Sequence, residues 1–262
     1  MARRLHQAGH TVHAWNRTQS KADPLAALGI AVHATVAEAV RQADIVVSLL
    51  ENGPAVEHVL FHAGAAQAMR PGTLFIDMAS IQPREARDHA ARLGEMGLAH
   101  LDAPVSGGTV GAENGTLAIM AGGRAEDFAR AQPVFAALGR ATHVGPHGSG
   151  QLAKLANQMI VGITIGAVAE ALLFAAKGGA DMAKVREAIQ GGFADSRILQ
   201  LHGQRMVDRD FAPKARMGVQ LKDMRNALGT AKEIGFDAPV TTLFEALYAE
   251  GVEHGLGELD HS

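Results

Sequence analysis

A lysine inside an apolar helical run and a serine followed by two glycines are where residue type and spacing in this chain could do chemistry. Lys154 lies in Gly148-Ser-Gly-Gln-Leu-Ala-Lys154-Leu-Ala-Asn157, a stretch that continues to Lys177 with no proline and almost no charge. That pattern predicts a long helix buried on most of its circumference. In its first turns an ammonium loses solvation and feels the positive end of the helix dipole, and both effects favour the neutral amine. A lysine so placed can give and take a proton near neutral pH. Asn157, three residues on, shares its helix face. On these residues alone a lysine snorkelling to the surface from the helix end stays open as the alternative.

The second stretch is Asp102-Ala-Pro-Val-Ser106-Gly107-Gly108-Thr109-Val-Gly111-Ala-Glu113-Asn-Gly115-Thr-Leu. Adjacent glycines let successive backbone N–H groups converge on an anion, and the Ser106 hydroxyl adds a donor. A substrate carboxylate or hydroxyl suits such a nest, while a glycine-rich hairpin is the structural alternative.

These stretches need elements to hold them. Short apolar runs at Asp44–Leu50, Leu74–Met78, Ala99–Pro104, Leu117–Ala121 and Ala141–Val144 read as strands, preceded by Thr11–Asn16. They alternate with helical patterns near Lys21–Leu28, Pro54–Met69, Pro83–Met96 and Ala125–Leu138, and residues 1–9 read as the tail of an amphipathic helix. Such alternation predicts a Rossmann-like α/β domain, a parallel sheet covered on both faces, over residues 1–147. From residue 148 to 262 only helices are expected, an all-α domain opened by the long helix of Lys154. A doubly wound sheet binds its ligand at the carboxyl ends of its strands, so the loops Asn16–Thr18, Leu50–Pro54 and Met78–Gln82 and the region after Asp102 are the ones to inspect. The loop after Thr11–Asn16 carries Asn16, Arg17 and Thr18 and no acid, which favours the 2′-phosphate of NADP(H) over NAD(H). The Gly-x-Gly-x-x-Gly turn that cradles a pyrophosphate belongs before the helix ending at Gly9, and the sequence starts inside that helix. The expectation is a sheet lacking its first strand and, if that truncation is real, weak or absent NADP(H) binding.

Composition narrows the partners. The 262 residues are 47% hydrophobic and 19% charged, with a formal charge of -3. A pI near 6.5 gives no reason to expect nucleic acid or an anionic membrane. Without cysteine there is no disulfide, thiol chemistry or thiolate metal site. The 13 histidines are scattered, so they are expected at the surface or in turns, with no metal. The apolar runs contain repeated glycines bounded by charges, and a cytoplasmic protein is expected.

Together the stretches resemble the β-hydroxyacid dehydrogenase family, of the 3-hydroxyisobutyrate dehydrogenase type, along essentially the whole chain. Asp102–Leu117 is similar to the family's substrate-binding signature, Gly148-x-Gly-x-x-x-Lys154-x-x-Asn157 to its catalytic-lysine signature, and Leu221-Lys222-Asp223-Met-Arg-Asn-Ala-Leu to its Lys-Asp motif near the nicotinamide. The resemblance implies an NAD(P)-dependent oxidoreductase that interconverts a small 3-hydroxy acid and its aldehyde acid. It makes Lys154 the general acid/base, assigns the substrate carboxylate to Ser106, Gly107 and Gly108, and has Asn157 orient substrate and lysine. It has Lys222, supported by Asp223, reach the cofactor or close the cleft, puts Ser80 against the nicotinamide ribose, and has the loop from Leu50 to Asn52 line the cofactor. A homodimer or homotetramer built through the helical domain is also implied. Imine reductases of the same scaffold usually replace the lysine, and 6-phosphogluconate dehydrogenases are longer in their helical part. The runner-up readings are 3-hydroxyisobutyrate oxidation and an inactive paralogue that acts only through its helical domain.

Overall fold

The computed structural model describes residues 1–262, which form two compact units, Met1–Lys154 and Leu155–Ser262.

The first unit opens with α1 (Ala2–Gln7), followed by the two-residue parallel strands β1 (His13–Ala14) and β2 (Ala31–Val32), which form a sheet of their own. Residues 19–28 form two short 3-10 turns rather than an α-helix; Pro24 sits at the start of the second, and Gly29 (φ 82) ends it. Next come α2 (Val36–Val40), β3 (Ile45–Ser48), α3 (Gly53–Glu57), α4 (Ala65–Ala68), β4 (Leu74–Asp77), α5 (Pro83–Glu95) and β5 (Ala99–Asp102). A π turn at His58–His62 and a left-handed Gly64 (φ 81) interrupt the helix expected over Pro54–Met69. The unit closes with β6 (Val105–Ser106), α6 (Gly108–Asn114), β7 (Leu117–Gly123), α7 (Ala125–Leu138) and β8 (Gly139–Gly145).

The larger sheet has the order β3-β4-β5-β7-β6, with β8 paired to β7. β3, β4 and β5 are parallel and in register, whereas β7 runs antiparallel to β5 and β6, so the sheet is mixed rather than wholly parallel. The β4 residues are all buried, as strands covered on both faces require. Their alternation feeds two cores: Phe75 packs with Val56, Leu60 and Leu93, while Leu74 and Ile76 pack with Leu101, Leu117 and Phe135. α5 starts where a sequence rule says it should, with Pro83 at its first position and Gln82 and Glu85 closing a capping box.

The second unit is helical. α8 (Ser149–Lys177) begins in the first unit, and α9 (Met182–Ile189), α10 (Arg197–Asp208), α11 (Met217–Glu233) and α12 (Pro239–Gly251) follow. One core gathers Ile165, Val168 and Leu172 of α8 with Leu199 and Met206 of α10. A second joins Leu221 and Met224 to Tyr248, whose hydroxyl donates to the Gly162 carbonyl at 3.1 Å. α8 corrects the expectation of burial around most of its circumference. Only 22% of its most apolar window is buried, and Ile160, Leu173 and Phe174 are 66%, 59% and 80% exposed. By length and composition this helix could cross a bilayer. Apolar periodicity reports which faces avoid water; it does not say whether the same chain covers them.

Candidate active site

The carboxyl ends of β3, β4 and β5 align Ser48, Asp77 and Asp102 as register partners in one row. Both aspartates are fully buried. Asp77 Oδ1 accepts from Ser48 Oγ at 2.9 Å and from the Ala79 N–H at 3.0 Å, which fixes the chain as it leaves β4. Burial pushes the Asp77 carboxyl up to about 7 against those two hydrogen bonds, and the nearby Asp102 carboxylate pushes the same way.

Asp102 serves the lysine helix. Its Oδ1 accepts from the Gly148 N–H at 2.8 Å and its Oδ2 from the Gln151 N–H at 3.0 Å, so one carboxylate satisfies two N–H groups at the start of α8. Burial raises its pKa and those bonds oppose the rise. Gly150 is needed here because a Cβ at that position would clash with the Asp102 and Met120 carbonyls. The second glycine of the Gly148-x-Gly150 spacing therefore lets α8 start against the backbones of β5 and β7.

Gln151, with no exposed surface, completes the attachment. Its Nε2 donates to the Ala79 carbonyl at 2.8 Å and its Oε1 accepts from the Ile81 N–H at 3.1 Å. The residue between those two backbone groups is Ser80, which is half-buried. Lys154 follows Gln151 by three residues and is 9% exposed, so it is not a snorkelling surface cation.

The other expected residues of this unit lie on its strand ends. Ser106 closes β6, and Gly107 (φ 132) and Gly108 (φ 61) turn the chain into α6, so a strand, turn and helix stand where a hairpin was the alternative. Both glycines are exposed and Ser106 is half-buried. Asn16, Arg17 and Thr18 form an exposed loop after β1, folded back by a hydrogen bond from the Thr18 N–H to Asn16 Oδ1 at 2.9 Å. In the loop after β3, Leu50 is half-buried against the Val56 and Phe75 core, while Leu49 is 55% exposed.

In the helical unit the structure joins three expected residues through Gln158, to which the sequence assigned no role. Gln158 Oε1 accepts from Asn157 Nδ2 at 2.8 Å, and Gln158 Nε2 donates to Asp223 Oδ2 at 2.6 Å. Asp223 Oδ1 is 3.2 Å from Lys222 Nζ, and Gln220 Nε2 donates to the Gln158 carbonyl at 3.1 Å. The network thus ties α8 to α11. Gln151 and Gln220 were missed and Gln158 was given no role; the available signal was an uncharged amide inside a largely apolar helical run.

The histidines need a correction, because His89, His100 and His261 are buried. Desolvation favours their neutral forms, lowering His100 to about 3 and His261 to about 4. His202, Asp260 and His261 form the one group with metal-ligand spacing. Both Asp260 oxygens are already engaged: Oδ2 accepts from the Lys214 and Ala215 N–H groups and from Arg205, and Oδ1 from Ser262. Five donors, one of them a guanidinium, suit an anionic anchor better than a divalent cation.

Comparison with known proteins places the whole chain. Residues 1–145 match the family described as NAD binding domain of 6-phosphogluconate dehydrogenase, and residues 148–262 the family described as NAD-binding of NADP-dependent 3-hydroxyisobutyrate dehydrogenase. The 2-hydroxy-3-oxopropionate reductase of Escherichia coli is 43% identical over 100% of this chain and 90% of its own length. Among solved structures, a 3-hydroxyisobutyrate dehydrogenase from Salmonella typhimurium superposes with a TM-score of 0.91 at 28% identity, covering 100% of this chain and 92% of that one. The 3-hydroxyisobutyrate dehydrogenase of Mycobacterium tuberculosis, solved with L-serine, gives 0.90 at 31% identity over 99% and 91%.

Proposed function

Because this chain belongs to the β-hydroxyacid dehydrogenase family of NAD(P)-dependent oxidoreductases, we propose that it reduces tartronate semialdehyde, also called 2-hydroxy-3-oxopropionate, to glycerate with NADPH and Lys154 as proton donor. The observation that carries the reading is the buried Lys154 on a helix start that Asp102 and Gln151 bond to the carboxyl ends of the sheet. A buried amine beside a helix N-terminus is poised to exchange a proton near neutral pH.

The exposed Arg17 guanidinium, the Thr18 hydroxyl and the folded-back Asn16 offer a donor set that fits a phosphate monoester, which supports NADP(H) over NAD(H). When bound, the nicotinamide supplies the hydride to the carbonyl carbon. Lys154 gives its proton to the carbonyl oxygen and takes it back in the oxidative direction. Ser106 and the turn at Gly107 and Gly108 hold the substrate carboxylate through hydroxyl and backbone donors. Asn157, one turn beyond Lys154 on the same helix, orients the substrate. Ser80 and the loop at Leu50 line the cofactor, and Lys222, held by Asp223, supplies the cofactor contact that the family's Lys-Asp motif implies.

The exposed apolar face of α8 supports a homodimer or homotetramer assembled through the helical unit, and the proposed location is cytoplasmic. A second reading, oxidation of 3-hydroxyisobutyrate, draws on the two solved relatives. One assay separates the two: a panel of aldehyde acids and hydroxy acids with NADPH and NADH, beside fluorescence titration of each cofactor. Preference for 3-hydroxyisobutyrate, or for NADH, would replace the corresponding part of the proposal.

A further inference from the structure

We propose that Gln151 is the positioning residue that fixes Lys154 against the loop carrying Ser80, an inference that rests on Lys154 being the proton donor. The geometry is specific. Gln151 is wholly buried, and its carboxamide bonds the two backbone groups that flank Ser80, the Ala79 carbonyl at 2.8 Å and the Ile81 N–H at 3.1 Å. The same residue's backbone N–H donates to Asp102 Oδ2 at 3.0 Å, while the Ala79 N–H is held by Asp77 Oδ1 at 3.0 Å. Residues 79–81 are therefore gripped from the β4 side by Asp77 and from the helix side by Gln151. Lys154 lies three residues after Gln151, so the two share a helix face, and the side chain that reads the loop sets the azimuth of the lysine.

A glutamine can meet both backbone groups because one planar amide carries a donor and an acceptor. A methionine of similar length meets neither. An ionised glutamate loses the donor and sets a carboxylate against the Ala79 carbonyl, whereas a protonated glutamic acid donates through its O–H and restores both bonds. The hydrogen bonds to Ala79 and Ile81 leave the first turn of α8 one orientation relative to Ser80, and thereby relative to whatever Ser80 holds. Misplacing a reacting group by about 1 Å costs roughly a hundredfold in rate.

The test compares wild type, Gln151→Met, Gln151→Glu and Lys154→Ala as full chains, each checked for folding by circular dichroism and thermal melting. In steady-state assays with NADPH and tartronate semialdehyde, Gln151→Met is expected to lose about tenfold to a hundredfold in kcat with KM for the aldehyde changed far less. Gln151→Glu is expected to approach wild-type kcat at acidic pH and to lose it as its buried carboxyl ionises, a loss additional to the pH dependence that Lys154 and Asp77 give wild type and Gln151→Met alike. In the protein without cofactor, amide exchange of the Ile81 N–H should accelerate about tenfold or more in Gln151→Met, and in Gln151→Glu only at the higher pH. If Gln151→Met does not fold, the pH profile of Gln151→Glu decides alone. Folded Gln151→Met with wild-type kcat, or a Gln151→Glu profile that overlays wild type, overturns the positioning role. Lys154→Ala separates the two levels: its full turnover would refute the proton-donor reading, while an inactive Lys154→Ala beside wild-type Gln151 variants would refute the positioning proposal only.

Discussion

Asp77 and Asp102 stand side by side in register on β4 and β5, both fully buried, and are partnered in different ways. Asp102 uses both oxygens on the N–H groups that open α8. Asp77 uses one oxygen on Ser48 and Ala79, and its Oδ2 is buried without a partner. Burial with incomplete compensation pushes Asp77 up to about 7. Its folded pKa thus lies above its unfolded value near 4, and the folded state holds a proton that the unfolded state has released between those values. Its contribution to stability is therefore fully present at acidic pH and is lost as pH rises towards 7. Asp77→Asn removes this dependence. In urea unfolding, the variant's stability relative to wild type should rise by about 2–4 kcal/mol between pH 4 and 8, at about 1.4 kcal/mol per pKa unit. A constant difference across that range would show that Asp77 is ionised throughout.

Lys154→Ala should lower turnover by about a hundredfold to ten-thousandfold, the scale on which a general acid contributes. Cofactor affinity should stay close to wild type, because the change lies at the proton-transfer end. Stopped-flow reduction together with NADPH titration reads both quantities. Turnover within a few-fold of wild type would remove Lys154 from the chemistry.

Arg17 bears on cofactor choice. Arg17→Ala should weaken NADPH by roughly tenfold or more, since a charge-assisted hydrogen bond contributes about 1.5–3 kcal/mol, and should leave NADH little changed. The measurement is the dissociation constant of each cofactor by fluorescence. Equal losses for both would mean that Arg17 does not meet a 2′-phosphate.

Much of this arrangement was legible in the residues, and the illegible parts have common causes. The β3, β4 and β5 runs and the helices Pro83–Glu95 and Ala125–Leu138 announce themselves because apolar period, proline and capping residues agree locally. The antiparallel placement of β7 beside β5 depends on pairing between distant segments, which no local window contains. Residues 19–28 satisfy helix periodicity but close as 3-10 turns around Pro24. At the site, Lys154 stands out because a charge in an apolar run costs free energy unless it has a use. Gln151 and Gln158 carry no charge and look like ordinary helix formers, so only their bonds to Ala79, Ile81 and Asp223 reveal what they hold.

The exposed apolar surface of α8 yields a prediction about assembly. Ile160 and Phe174 lie close to four turns apart and so share one face, and Phe174 is 80% exposed. An exposed apolar face of that kind is a candidate interface between copies of the chain. Light scattering at micromolar concentration should show a dimer or tetramer, and Phe174→Asp should shift it towards monomer while the catalytic unit stays folded. A wild-type monomer would leave this face without the proposed role.

Asp260 anchors the end of the helical unit. Its Oδ2 accepts from the Lys214 and Ala215 N–H groups and from Arg205 Nη1, each at 2.9 Å, and its Oδ1 from the Ser262 hydroxyl at 2.8 Å. Burial alone would raise this carboxyl, but the hydrogen bonds outweigh it and hold Asp260 far below the usual carboxylate range. Stability from a depressed carboxyl is present above its unfolded pKa, near 4, and drains away as pH falls below that value. Asp260→Asn leaves the buried Arg205 with only the half-exposed Asp210 carboxylate, 3.7 Å away, as its charge partner, and breaking a buried pair costs up to about 3–5 kcal/mol. Urea unfolding at pH 7 should show a deficit of that size, narrowing as the pH falls below 4. His202 and His261 face Asp260, which favours their charged forms, so their protonation on acidification is part of the measured difference rather than common to both proteins. A deficit that is absent at pH 7, or that stays constant down to pH 2, would mean that the Asp260 charge does not hold the segment in place.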